Sequence, residues 1–246
     1  MNNQLYKNLQ ESKSKGEKKF AVLIDPDKLR LGSIDDIVKK AIEAKVDYFY
    51  IGGSLIVNNM LDEVISEIKS KSNIPTILFP GNSYQLSYKA DGILFLSLIS
   101  GRNAELLIGN HVLSAPYIKI SGLEVISTGY MLIDGGISTT VQYISNTTPI
   151  PRNKYDIALS TALAGEMLGM KQIFLDAGSG AEHCVSAEMI SAVSSAVEVP
   201  VIVGGGIRSG KQAKIAVDAG ADVIVVGNAI ENSPDLIFEI SEAIGK

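Results

Sequence analysis

VPVIVGGGIRSG, residues 199–210, and ADVIVVGNAIE, residues 221–231, decide the fold. Each is a short run of branched aliphatic residues that stops at glycine and passes into a helical pattern. A run of that length with glycine at its end reads as a strand buried on both faces, and such strands belong to parallel sheets. Residues 211–219 lie between them and are long enough for one connecting helix. Strand, crossover helix and strand make one βαβ unit.

Outward from that unit the pattern repeats. Apolar runs occur at residues 20–24, 47–51, 74–79, 92–98, 125–133 and 172–176, so that the chain holds eight in all. Helical spacing joins most of them. Ile34, Ile37, Val38 and Ala41 fall on one face, and so do Leu61, Val64, Ile65 and Ile68. Further helices are expected over residues 103–113, 157–168, 186–197 and 234–244, the last opened by Ser233 as cap and Pro234 as first residue. Residues 83–90 are few for a helix, so the third helix is expected to be reduced. Residues 139–155, with Pro149 and Pro151, read as a loop, and residues 13–19 as a charged lead-in. Eight βα units in 246 residues imply an α/β fold of the (βα)8 TIM-barrel class, one domain over residues 1–246. A doubly wound open sheet is the alternative.

The composition is 46% hydrophobic and 6% aromatic with no Trp, which suits an aliphatic core. A formal charge of −5 argues against a non-specific nucleic-acid binder. The polar first 19 residues lack the apolar stretch of a signal peptide, and no run approaches the ~18–20 apolar residues of a membrane span. A cytoplasmic protein is expected. Cys184 is the single cysteine, so no intrachain disulfide forms, and it reads as an inert filler. With only His111 and His183 besides, a zinc site is not expected.

Barrel strands deliver their C-terminal ends to one face. Asp25, Ser54, Asn82, Asp134, Asp176, Ser179, Gly205, Gly206, Gly227 and Asn228 all follow strands and are expected around one mouth. Glycines before helices leave backbone N–H groups open to an anion, and the turns after strands 7 and 8 are where barrels commonly hold phosphate. Gly178, Ser179 and Gly180 form a third such turn. Asp25, with Ser54 at the equivalent point of the next strand, suits Mg²⁺, which takes few carboxylates beside phosphate oxygens and water. An Asx turn over Asp25, Pro26 and Asp27 explains the same residues without a metal. Asp176 is placed to orient or deprotonate a substrate hydroxyl, and Asp134 competes for that role. Asp35 and Asp36 sit at a helix start, where they favour the helix dipole.

LIDPDK (23–28), YIGGS (50–54), FPGN (79–82), LFLSLISGRN (94–103), STGYMLIDGG (127–136), FLDAGSGA (174–181), VGGGIRS (203–209) and VGNAIE (226–231) run in order. The set resembles the geranylgeranylglyceryl phosphate synthase family, and more closely its group with bacterial members. The resemblance implies attack by the 3-hydroxyl of sn-glycerol 1-phosphate on C1 of geranylgeranyl diphosphate, with Mg²⁺ as cofactor. It implies metal positions at Asp25 and Ser54. It places Phe174, Leu175, Asp176, Ala177, Gly178, Ser179 and Gly180 around glycerol phosphate, with Gly205, Gly206, Gly227 and Asn228 as the phosphate cradle. Asp176 becomes the catalytic carboxylate, and Arg102 a partner for the diphosphate. Two positions depart from the family: Phe174 and Asp176 stand where Tyr and Glu are usual. The resemblance also implies a homo-oligomer, dimer or hexamer, with Tyr143 as an aromatic contact. Two rival readings stand beside it. One is a sugar-phosphate isomerase or aldolase barrel, for which Lys119 is the nearest Schiff-base candidate. The other is a barrel that binds a phosphorylated ligand without turnover.

Overall fold

The computed structural model describes residues 4–27, 31–58 and 60–246. Eight parallel strands close into a barrel in sequence order: β1 Lys19–Ile24, β2 Tyr48–Ile51, β3 Thr76–Leu78, β4 Gly92–Leu98, β5 Glu124–Leu132, β6 Gln172–Asp176, β7 Val201–Gly204 and β8 Val223–Val226. The closing pair β8–β1 aligns Val226 with Val22, and β7–β8 aligns Gly204 with Val225. The open-sheet alternative is thereby excluded. The helices are α1 Gln4–Ser14, α2 Leu31–Glu43, α3 Leu61–Lys71, α4 Asn110–Ser121, α5 Thr140–Ser145, α6 Tyr155–Met167, α7 Ala187–Ser194, α8 Gly210–Asp218, α9 Asn228–Asn232 and α10 Leu236–Ala243.

Strand alternation splits the core in two. Ala21, Tyr50, Ile77, Leu94, Phe174 and Val225 fill the barrel interior. Their neighbours in sequence, such as Val22, Phe49, Ile93, Leu175 and Ile224, pack outward against the helices. Period-two alternation within fully buried strands is what a barrel demands, since both faces are covered.

Four elements differ from the sequence expectations. The expected lead-in belongs partly to α1, which ends at Ser14 and lies across the barrel's N-terminal end. Leu9 of α1 is buried with the interior residues, and the Glu124 carboxylate accepts the N–H groups of Leu5 (2.8 Å) and Tyr6 (2.7 Å). A lone polar helix shows little periodicity, and its role appears only once the barrel gives it a floor to cover. The expected loop over 139–155 contains α5, which ends at Asn146 in the left-handed conformation (φ 49°). The helix after β4 starts as a π turn, Glu105–Gly109, and runs through Pro116 to Ser121, well past the expected end. The reduced third helix is observed as no helix at all between β3 and β4.

Candidate active site

The turns after β6, β7 and β8 meet. Gly205 and Gly206 follow β7 with φ of 81° and 74°, in the left-handed region that disfavours any residue with a Cβ. A Cβ on Gly205 would also stand 2.6 Å from Asp176 Oδ1 and 2.6 Å from the Gly178 nitrogen. The close approach of two turns therefore requires glycine there. Asn228 Nδ2, after β8, donates to Ser179 Oγ (2.8 Å) and ties the outer turns together. Ser209 caps α8 by accepting the Gln212 N–H (3.3 Å).

The sequence alone does not single out Arg208, although it lies just beyond the glycine run. It lines the mouth, and its guanidinium donates to the carbonyl oxygens of Ala181 (2.5 Å), Gly206 (3.3 Å), Gly180 (3.4 Å) and Glu182 (3.4 Å). One cation so braces two of the turns and adds positive charge beside them. Cys184 takes a structural part, its thiol donating to the Gly206 carbonyl (3.0 Å). Burial pushes that thiol up, against the nearby charges of Arg208 and Arg152. This fits the inert reading of Cys184.

Asp176 closes β6 and is buried. Its Oδ1 accepts the Gly178 N–H (2.7 Å) and its Oδ2 accepts the Tyr130 hydroxyl (2.6 Å). Burial raises its pKa, and these two hydrogen bonds to the carboxylate oppose the rise. Phe174 stacks on Phe79 (centroids 5.2 Å apart) and meets the Tyr130 ring edge-on at 5.6 Å. It is fully packed and offers no polar atom.

On the opposite side, the turns after β1, β2 and β3 hold one another. The Asp25 main-chain N–H donates to Glu231 Oε1 (3.3 Å), and Asp25 Oδ1 accepts the Asp27 N–H (3.1 Å), so the Asx turn forms. Asp27 in turn accepts the N–H groups of Val57 and Asn58. Lys28, next along, lies outside the described residues. A Cβ on Gly53 would stand 3.2 Å from Asp25 Oδ2, so this glycine lets the β2 turn come up to the carboxylate. Gln85, from the helix-free link between β3 and β4, accepts from Gly81 N (3.0 Å) and donates to the Gly53 carbonyl (2.9 Å). Ser54, Asp25 and Glu231 all line the mouth. The oxygen donors are of the kind a hard divalent ion takes. Among the described residues no group of three or more His, Cys, Asp or Glu converges.

Between the two sides lies a cavity of about 410 Å³. Its arm toward β4 and α4 is apolar, lined by Leu94, Leu96, Leu98, Leu106, Ile118 and Ile144. His111 is the titratable group on that arm. It is buried, 3.2 Å from Ser97 Oγ and edge-on to Phe95, and burial lowers its pKa.

Of the expected site residues, Asp25, Ser54, Asn82, Phe174, Asp176, Gly178, Ser179, Gly180, Gly205, Gly206, Gly227 and Asn228 line this cavity. Four do not. Leu175 points outward into the helix layer, as its even–odd position on β6 requires, and Ala177 packs in the same layer. Asp134 is exposed and closes its own turn by accepting the Gly136 N–H (3.0 Å). Arg102 is exposed, and its guanidinium donates to the carbonyls of Gly101 (2.7 Å) and Ile99 (3.3 Å) within its own loop. Lys119 lies on α4, exposed, not at a strand end.

Known proteins are similar to this chain. The chain is 58% identical over 244 residues to the geranylgeranylglyceryl phosphate synthase of Chitinophaga pinensis, covering 99% of this chain and 97% of that one. It is 44% identical over 218 residues to the protein of that name from Thermococcus kodakarensis, covering 88% and 86%. The crystal structure of (S)-3-O-geranylgeranylglyceryl phosphate synthase from Thermoplasma acidophilum, in complex with substrate sn-glycerol-1-phosphate, superposes with a TM-score of 0.92. That match is at 34% identity and covers 98% of each chain. The model of the PcrB family matches residues 13–244. The chain belongs to the PcrB family.

Proposed function

We propose that the protein is a prenyltransferase that joins geranylgeranyl diphosphate to the 3-hydroxyl of sn-glycerol 1-phosphate, releasing diphosphate. The observation that carries this reading is the bond from Gly178 N–H to Asp176 Oδ1, which fixes a carboxylate to the rim of an anion cradle. A phosphate held by Gly205, Gly206, Gly227 and Asn228 puts the short glycerol chain next to that carboxylate. Asp176 accepts a hydrogen bond from the attacking hydroxyl and takes its proton as the C–O bond forms. The glycine turns and the Arg208 brace hold the acceptor in one orientation, which removes most of the entropic barrier to attack. The apolar arm between β4 and α4 takes the prenyl tail and excludes water from the reacting carbon.

Asp25 and Ser54 are the residues of this chain for Mg²⁺, with Glu231 beside them. A bound Mg²⁺ supplies Lewis-acid stabilisation of the departing diphosphate. The relatives' names, and the sn-glycerol-1-phosphate in the Thermoplasma acidophilum complex, support the same acceptor. The placement of Lys119 on α4 gives no support to a Schiff-base aldolase. The reading includes a homo-oligomer, dimer or hexamer. It is supported by the exposed apolar side chains of Val112, Leu113, Tyr117 and Ile120 on α4 and of Tyr143 on α5. Among the described residues no helix is long and apolar enough to cross a membrane.

The test is direct. Purified protein is incubated with radiolabelled sn-glycerol 1-phosphate, geranylgeranyl diphosphate and Mg²⁺, then extracted with organic solvent. Label passes to the organic phase on this reading. Label that stays in water, with longer and shorter donors as well, contradicts it and favours a barrel that only binds.

A further inference from the structure

Asp176 does not stand alone. Tyr130 on β5 pairs in register with Phe174, so its ring enters the barrel two residues below the strand end. Its hydroxyl rises to Asp176 Oδ2 at 2.6 Å, inside the 2.5–2.7 Å range of a charge-assisted O–H···O⁻ bond. Both groups are buried, Tyr130 at 6% exposure and Asp176 at 8%. The ring is locked by edge-on contacts to Phe79 (6.0 Å) and Phe174 (5.6 Å), so the hydroxyl has little freedom. The carboxylate is thus held at both oxygens, by Tyr130 from β5 and by Gly178 from the cradle turn. A carboxylate has about four acceptor sites, so two hydrogen bonds leave capacity for a substrate hydroxyl.

We propose that Tyr130 is a positioning residue, which holds the Asp176 carboxyl in one rotamer so that its remaining lone pairs face the acceptor bound in the cradle. The proposal rests on the reaction proposed above. With Phe174 offering no polar atom, Tyr130 supplies the phenol hydroxyl beside this carboxylate. Burial alone pushes Asp176 toward its neutral form, which cannot take a proton, and the Tyr130 hydroxyl works against that. The β7 neighbours of Asp176 are Gly204 and Gly205, which carry no charge. The other titratable groups lining the cavity are Asp25, His111, Arg208 and Glu231.

The test reads the carboxyl itself. Asp176 is followed by carbon-13 NMR of aspartate-labelled protein, with Asp176→Asn assigning the signal, in the wild type and in Tyr130→Phe. The titration midpoint is expected to rise by about one pH unit or more in Tyr130→Phe, since a hydrogen bond to the charged form is lost. The acid limb of kcat/KM is expected to move the same way, with activity largely recovered at higher pH. Incorporation of 3-fluorotyrosine at position 130, a stronger donor of nearly the same shape, is expected to lower the midpoint. It also serves if the phenylalanine variant folds poorly. A midpoint unmoved in both variants overturns the inference, whatever the rates. Shifted midpoints in a protein that transfers no prenyl group overturn the preceding section's reading and leave the Tyr130–Asp176 pair standing.

Discussion

Asp176 carries an internal conflict that can be measured. Its pKa is raised by burial, so the folded chain binds a proton there more readily than the unfolded chain. The sign follows. Below the ordinary aspartate range both states are protonated and the group costs nothing; as pH rises through the raised value, the folded state must hold a buried charge and loses stability. Asp176→Asn carries no charge at any pH. Thermal melts should therefore show the variant gaining on the wild type at about pH 7, and the gain shrinking toward about pH 4. Turnover should be lost in the same variant. A difference in melting temperature that does not change with pH would contradict this. A destabilised group kept at a strand end is what a catalytic site requires, since function and stability compete there. Asp176 itself was legible, because a carboxylate next to a glycine turn at a strand end is a local signal. Tyr130, Gln85 and Arg208 were not. Each acts on a residue brought close by strand pairing or by a turn of another unit, and one sequence without its register does not show such pairs.

The elements fall into two groups by where the reason for their structure lies. The eight strands were readable, since buried runs of Val, Ile and Leu ending in glycine have few other uses. The failures are elements whose reason lies outside their own sequence. α1 is polar along most of its length and makes sense only as the cover of the barrel's N-terminal end, where Glu124 waits for its free N–H groups. α5 is six residues long and stands in a stretch whose later prolines suggest a loop. The π turn before α4 leaves no trace in hydrophobic spacing. α4 also presents a surface the barrel does not use. Leu113, Tyr117 and Ile120 recur at the spacing of one helical face and are 62%, 58% and 75% exposed. A stripe of that kind suits the proposed homo-oligomer as its interface. Sedimentation velocity at micromolar concentration should report a dimer or hexamer, and Tyr117→Asp with Ile120→Asp should shift the protein toward smaller species. A wild type that sediments as a monomer would contradict the assignment of this face.

Across the whole molecule, the barrel explains why chemistry read from scattered turns belongs together. Three glycine turns from β6, β7 and β8 form one rim, three polar turns from β1, β2 and β3 form the other, and an apolar arm opens between them. The convergence was foreseeable once the strands were counted, because parallel strands in sequence order bring every C-terminal end to one face. The self-contained loop of Arg102 was not, since nearness in sequence to a motif does not give a side chain its direction. On the proposed reaction the cradle and Asp176 act on one acceptor, and a crystal structure with sn-glycerol 1-phosphate bound decides whether they do. The phosphate is expected on the main-chain N–H groups around Gly205, Gly206 and Asn228, with the 3-hydroxyl within hydrogen-bond distance of the Asp176 carboxylate. A phosphate bound elsewhere in the mouth, or a glycerol chain pointing away from Asp176, would contradict it.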